Sequence, residues 1–294
     1  MTNLHELDID INPPIINPVT IHHPSGRVIE VGHQKPLLLI GGPCALESEE
    51  LAREVATSLK AICRDLGLPY VFKASFDKAN RTSLSSYRGP GIKEGLEILG
   101  RIREDLQVPV ISDVHDITQV EAAAEILDII QIPAFPCRQT DLLVAVSRTG
   151  KPINLKKGQF VSPWDMANAV QKIRHGGSSK MMLVERGSCF GYNNLVVDMR
   201  SLSIMRSLGC PVVFDATHSV QLPGGAGGAS SGQREFIRPL TRAAVAAGID
   251  GLFMEIHPDP DNALCDGPNS MPLDQMKAFL TEIVAIRNVV AHAN

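Results

Sequence analysis

No apolar run in this 294-residue chain approaches the roughly 20 residues that a membrane-crossing helix requires. Residues 1–14 are polar with acidic side chains, unlike a secretory signal. Excess positive charge is also lacking. The formal net charge is −4, which argues against a general nucleic-acid or membrane-surface binder and makes any basic site a local feature. None of the six cysteines, at 44, 63, 137, 189, 210 and 265, forms a C-x-x-C pair. In a chain this long they read as reduced thiols of a cytoplasmic protein, each available as ligand or nucleophile. No G-x-G-x-x-G follows the first strand-like run, which disfavours a dinucleotide fold. The glycine-rich stretch 223–232 lacks the Gly-Lys-Ser/Thr ending of a P-loop. We read it as a lid over a site, with a plain connector as the alternative.

What is present is ordinary globular composition, 44% hydrophobic and 20% charged, with a strongly repeated pattern. Residues 1–14 read as a loose tail. Two short apolar runs, Val19–Ile21 and Val28–Val31, flank His22-His23-Pro24-Ser25-Gly26 and predict a hairpin. From Leu37 onward, eight apolar runs alternate with helix-period segments: 37–40, 70–72, 108–111, 129–132, 153–155, 181–184, 212–214 and 252–256. Leu51, Val55, Leu59 and Ile62 lie on one helical face that stops near Gly67. Ser162-Pro163 with Asp165 predicts a helix start, and Gly248 a helix end. Eight strand–helix units in about 250 residues imply a parallel sheet closed into a (β/α)8 TIM barrel over 37–294, with the tail and hairpin in 1–36.

Chemistry in such a barrel sits at the C-terminal ends of the strands, and every one of these ends carries a charged, thiol or amide group. The second strand exits into Lys73-Ala-Ser-Phe-Asp-Lys78-Ala-Asn80-Arg81-Thr82-Ser83. Two lysines, an arginine, an asparagine and three hydroxyls in eleven residues are what phosphate oxygens require. With Lys156 and Arg186 from other strand ends, these cations would repel at about 4 kcal/mol per pair at 4 Å and an effective dielectric near 20. Anions must sit among them: bound phosphates, or in part carboxylates such as Asp113. A second set is Cys44, His218, Glu255 and Asp266, from strand ends one, seven and eight and the loop beyond, which are neighbours in a closed barrel. Thiol, imidazole and carboxylate together suit Zn, Fe, Co or Mn. On spacing alone, a buried Cys44 and a hydrogen-bonded His218 serve equally well.

Three motifs then carry a resemblance: Lys73–Ser83 itself, the run Ile130-Gln131-Ile132-Pro133-Ala134-Phe135 leading to Arg138-Gln139-Thr140-Asp141, and Phe190-Gly191-Tyr192-Asn193-Asn194-Leu195-Val196-Val197-Asp198. The chain resembles the 3-deoxy-D-manno-octulosonate 8-phosphate (Kdo-8-phosphate) synthase family from about Pro36 to its end. The resemblance implies condensation of phosphoenolpyruvate with D-arabinose 5-phosphate, with release of phosphate, for lipopolysaccharide. It implies a phosphoenolpyruvate site of Lys73, Lys78, Gln131, Ala134, Lys156 and Arg186. It implies a sugar-phosphate site of Asn80, Arg81, Thr82, Asp113, His115 and Arg138, with Arg138 lent by a neighbouring subunit of a homotetramer. Lys78, His218, Asp266 and Cys44 are the implied catalytic group. Cys44 is the family's mark of members needing a divalent metal, with His218, Glu255 and Asp266 as the other ligands. Cys265-Asp266-Gly267-Pro268 is instead associated with metal-independent members, which implies weak dependence. The related 3-deoxy-D-arabino-heptulosonate 7-phosphate synthases carry Lys-Pro-Arg-Thr-Ser where this chain has Lys78-Ala79-Asn80-Arg81-Thr82-Ser83 and use erythrose 4-phosphate. Two further alternatives are a Schiff-base aldolase using Lys156 or Lys157 and a non-enzymatic metabolite-binding barrel.

Overall fold

The computed structural model describes residues 18–81, 83–225 and 230–291. The tail and Thr82 lie outside them. Two hairpin strands, β1 (Val19–His22) and β2 (Val28–Val31), pair antiparallel with Ile21 opposite Ile29. Their turn closes through His23 N donating to Arg27 O at 2.9 Å, with Gly26 at φ 81°.

Eight parallel strands follow: β3 (Leu38–Gly42), β4 (Tyr70–Lys73), β5 (Val110–Asp113), β6 (Ile129–Ile132), β7 (Ile153–Lys156), β8 (Met181–Glu185), β9 (Val212–Asp215) and β10 (Gly251–His257). Each pairs with the next, and β10 pairs with β3 as well as β9, so the sheet closes into the expected (β/α)8 barrel. β5 starts two residues later than the apolar run. Pro109 has no N–H for the ladder, and Val110 N instead donates to Asp128 Oδ2 at 2.9 Å.

A helix follows every strand: α1 (Glu49–Leu66), α2 (Ile92–Leu106), α3 (Val120–Ile126), α4 (Thr140–Arg148), α5 (Met166–His175), α6 (Arg200–Arg206), α7 (Ile237–Ala247) and α8 (Met276–Ala291). Ser48 Oγ accepts from Leu51 N to cap α1, which ends on left-handed Gly67 as its pattern predicts; α7 ends likewise on Gly248. The α5 start differs from expectation. Ser162 caps a preceding turn, its Oγ accepting from Asp165 N at 3.2 Å, and the regular helix begins only at Met166.

The two-residue strand period sorts the barrel interior into layers. Leu38, Ile40, Val71, Ile111, Ile129, Met182, Val184, Val213 and Phe253 form the lower, apolar layers. Two residues further along their strands stand Lys73, Asp113, Gln131, Arg186, Asp215 and Glu255, all buried. Lys156 stands at the corresponding end of β7, above Asn154, whose Nδ2 donates to Gln131 Oε1 at 3.0 Å. Val19, Ile21 and Val31 of the hairpin join the lower cluster, so the hairpin plugs the end opposite the charged ring. A second, larger core lies between strands and helices. No helix among the described residues is long and apolar enough to cross a membrane.

Candidate active site

Above the charged ring, a single cavity is walled by Lys73, Lys78, Asn80, Arg81, Asp113, Gln131, Ala134, Lys156, Arg186, His218 and Asp266, all expected from the sequence. Cys44 and Glu255 lie buried beneath this wall, 3% and 0% exposed. His115 is set behind Asp113, with Nε2 3.1 Å from Asp113 Oδ2. Arg138 is exposed outside its own chain's cavity wall, and its carbonyl accepts from Lys172 Nζ at 2.8 Å. Pro223, Gly224 and Ser230 belong to the wall, while residues 226–229 of the expected lid lie outside the described residues.

The close approach of β3 to β4 at this level needs Gly42. A Cβ there would sit 2.1 Å from Lys73 O. That approach brings Lys73 Nζ to Cys44 O at 2.9 Å.

Five cations face four carboxylates. Glu255 Oε1 lies 3.5 Å from Lys73 Nζ and 3.6 Å from Lys78 Nζ. Asp215 Oδ2 accepts from Lys156 Nζ at 2.6 Å, and Asp266 Oδ1 from Arg81 Nη1 at 3.3 Å. Internal carboxylates therefore take up most, but not all, of the repulsion anticipated from the sequence. Burial works against the charge on Glu255, but His218, Lys78 and Lys73 win and hold it at about 2. Asp113 is likewise held well below the carboxylate range, against burial, by His115 and the lysines. Burial is the larger influence on Lys156 and Arg186 and pulls both down. Lys156 also lies 3.7 Å above the Phe253 ring. Among the described residues the cations outnumber the carboxylates by one, and two guanidinium nitrogens, Arg81 Nε and Arg186 Nη1, are buried without a partner. Phosphate or carboxylate oxygens satisfy such donors bidentately.

The metal-type residues also converge. His218 Nε2 is 3.3 Å from Glu255 Oε1 and 3.8 Å from Asp266 Oδ2, and Cys44 Sγ is 3.5 Å from Asp266 Oδ2. Asp266 is shared by two ligand-distance triads, His218–Glu255–Asp266 and Cys44–Cys265–Asp266. Glu255 Oε2 is buried with no partner among the described residues. An orphaned carboxylate oxygen beside an imidazole, with Asp266 joining that triad to the thiol pair, fits a bound cation of borderline softness.

Asp215 has no role in the sequence reading beyond ending a strand. Here its Oδ2 is 2.8 Å from His218 Nδ1, which fixes the imidazole with Nε2 toward Glu255 and Asp266. The signal was available: Asp215 follows inward Val213 by two residues. Gln159 and Gln221 also line the cavity, and no motif marks them. Gln221 Oε1 accepts from Arg186 Nη2 at 3.2 Å. Lys157 points elsewhere, its buried Nζ donating to Ser188 Oγ at 2.9 Å beside Glu185. That removes it as a Schiff-base candidate and leaves only the paired Lys156.

A closed barrel whose strand ends build one cationic, partly unsatisfied cavity defines an enzyme of the anion-binding (β/α)8 class. The chain belongs to the DAHP synthetase I family, whose model matches residues 17–291. It is 72% identical over 276 residues to the 2-dehydro-3-deoxyphosphooctonate aldolase of Desulfotalea psychrophila, covering 94% of this chain and 99% of that one. It is 62% identical to the protein of that name from Syntrophotalea carbinolica and 60% to that from Geobacter metallireducens. Each of these matches covers 262 residues, 89% of this chain and at least 95% of the relative.

Proposed function

We propose that this enzyme condenses phosphoenolpyruvate with D-arabinose 5-phosphate and water to give 3-deoxy-D-manno-octulosonate 8-phosphate and phosphate, the eight-carbon acid of lipopolysaccharide synthesis. The observation that carries the reading is the convergence of Lys73, Lys78, Lys156 and Arg186 on one cavity, with Asn80 and Arg81 on the same wall. The lysines and Arg186 bind the carboxylate and phosphate of phosphoenolpyruvate, and the Asn80–Arg81 side takes the sugar phosphate. Holding both anions in one cavity aligns C3 of phosphoenolpyruvate with the aldehyde carbon. C3 forms the new bond, the aldehyde oxygen takes a proton, water adds at C2, and phosphate leaves by C–O cleavage.

Cys44, His218, Glu255 and Asp266 would hold a divalent transition metal, Mn, Co, Fe or Zn, which when bound supplies Lewis acidity at the cavity floor. Asp215 orients His218 for that role. Exposed Arg138 supports the reading that it is lent to a neighbouring subunit, in a cytoplasmic homotetramer. His115 acts by holding Asp113.

The test is phosphate release from phosphoenolpyruvate, comparing arabinose 5-phosphate with erythrose 4-phosphate, each with and without chelator. Preference for erythrose 4-phosphate sinks the substrate assignment in favour of the heptulosonate synthases. Full activity of protein shown metal-free by elemental analysis sinks the metal dependence. Labelled water gives ¹⁸O in the eight-carbon product; label in the released phosphate refutes C–O cleavage.

A further inference from the structure

The four-residue metal set leaves one thiol beside it without a role. Cys265 Sγ lies 2.8 Å from Cys44 Sγ, both buried, and these two sulfurs and an Asp266 oxygen all lie within 4.8 Å of one another. In extended chain, neighbouring side chains such as those of Cys265 and Asp266 point to opposite sides. Asp266 instead takes a left-handed φ of 51°, and both side chains serve the same point. Cys44 Sγ donates to Cys265 Sγ, so the two thiols share one proton, and a cation that displaces it would draw on both sulfurs. The carboxylate in reach of the pair favours the cation, and Arg81 Nη1 stands 3.1 Å from Cys265 Sγ, tying the second thiol to the cavity wall.

Resting on the metal reading above, we infer that Cys265 is a fifth donor and the second thiolate of this site. A second sulfur softens the donor set and turns its preference from Mn toward Zn, Co and Fe(II).

The test uses the reduced, full-length protein loaded with Co(II), read by its sulfur-to-cobalt charge-transfer absorption. The expected result is a band that Cys265→Ser and Cys44→Ser each reduce about twofold and the double variant abolishes. Cys265→Ser should also weaken Zn(II) more than Mn(II) in chelator competition. X-ray absorption of the unsubstituted cobalt protein should count two sulfur neighbours, a readout independent of whether any variant folds. A band insensitive to Cys265→Ser, or a single sulfur neighbour, overturns the inference and leaves the metal reading standing. No band in the reduced protein overturns both. A Cys44–Cys265 disulfide in the protein as isolated, with one sulfur neighbour after reduction, assigns the contact to a redox pair and overturns the ligand role.

Discussion

Replacing Glu255 by Gln in the metal-free protein tests whether the charged ring is held by this one carboxylate. Glu255 is fully buried, with Oε1 3.3 Å from His218 Nε2 and 3.5 and 3.6 Å from the amino groups of Lys73 and Lys78. At an effective dielectric near 20, each lysine attracts it by about 5 kcal/mol gross, and burial takes back much of that. The balance is the fall of its pKa from 4.5 to about 2, worth about 3 kcal/mol. That agrees with the ~3–5 kcal/mol cost of removing one partner of a buried pair. Because the folded-state value is the lower one, the contribution is complete above about pH 4.5 and fades as pH falls toward 2. Urea unfolding of both proteins in chelator should therefore differ by about 3 kcal/mol at pH 7, and by roughly two fifths less at pH 3.5. A difference below about 1 kcal/mol at neutral pH, or one that does not shrink on acidification, refutes the argument.

Asp215→Asn should lower metal affinity about 10- to 100-fold by releasing His218 from its fixed orientation; chelator competition measures it, and unchanged affinity separates Asp215 from the metal. Arg186→Lys should raise KM for phosphoenolpyruvate about tenfold or more, since an ammonium cannot replace a guanidinium that bonds Gln221 and still offers Nη1. An unaltered KM in steady-state kinetics counts against Arg186 as an anion ligand. Ile21→Ala, at a fully buried position of the plug, should cost about 2–5 kcal/mol of stability while leaving both KM values in place. A selective loss of substrate binding there would show that the hairpin has another task.

The barrel was legible because fully buried strands leave continuous apolar runs, and its site because charges at the ends of such runs have no structural reason to be there. The period of two does more than mark strands. It orders Val71 then Lys73, Ile111 then Asp113, and Val213 then Asp215 along one inner face, and so places Asp215 as firmly as Lys73. It also separates Lys156 from Lys157, since adjacent strand residues cannot both face inward. The contribution of Cys265 was hidden for the opposite reason. The spacing rule puts it away from Asp266, and only the backbone at φ 51° reverses that. Arg138 on its own chain stands outside the cavity, and no intrachain pattern says which surface it meets.

The hairpin plug at the closed end of the barrel has an electrical consequence. Beneath the ring stand Phe253, Ile40, Val71 and the hairpin's Ile21, with Lys156 resting on the Phe253 ring and Lys73 5.6 Å from its centre. Water reaches the charges from the open mouth and is kept out below, so the field of the ring is screened on one side and insulated on the other. An anion entering from the mouth meets cations whose attraction is undiluted by solvent behind them. Trimming one plug side chain, as in Ile21→Ala, leaves this insulation in place, whereas removing the whole hairpin would admit water below and weaken the attraction without moving a residue that touches substrate.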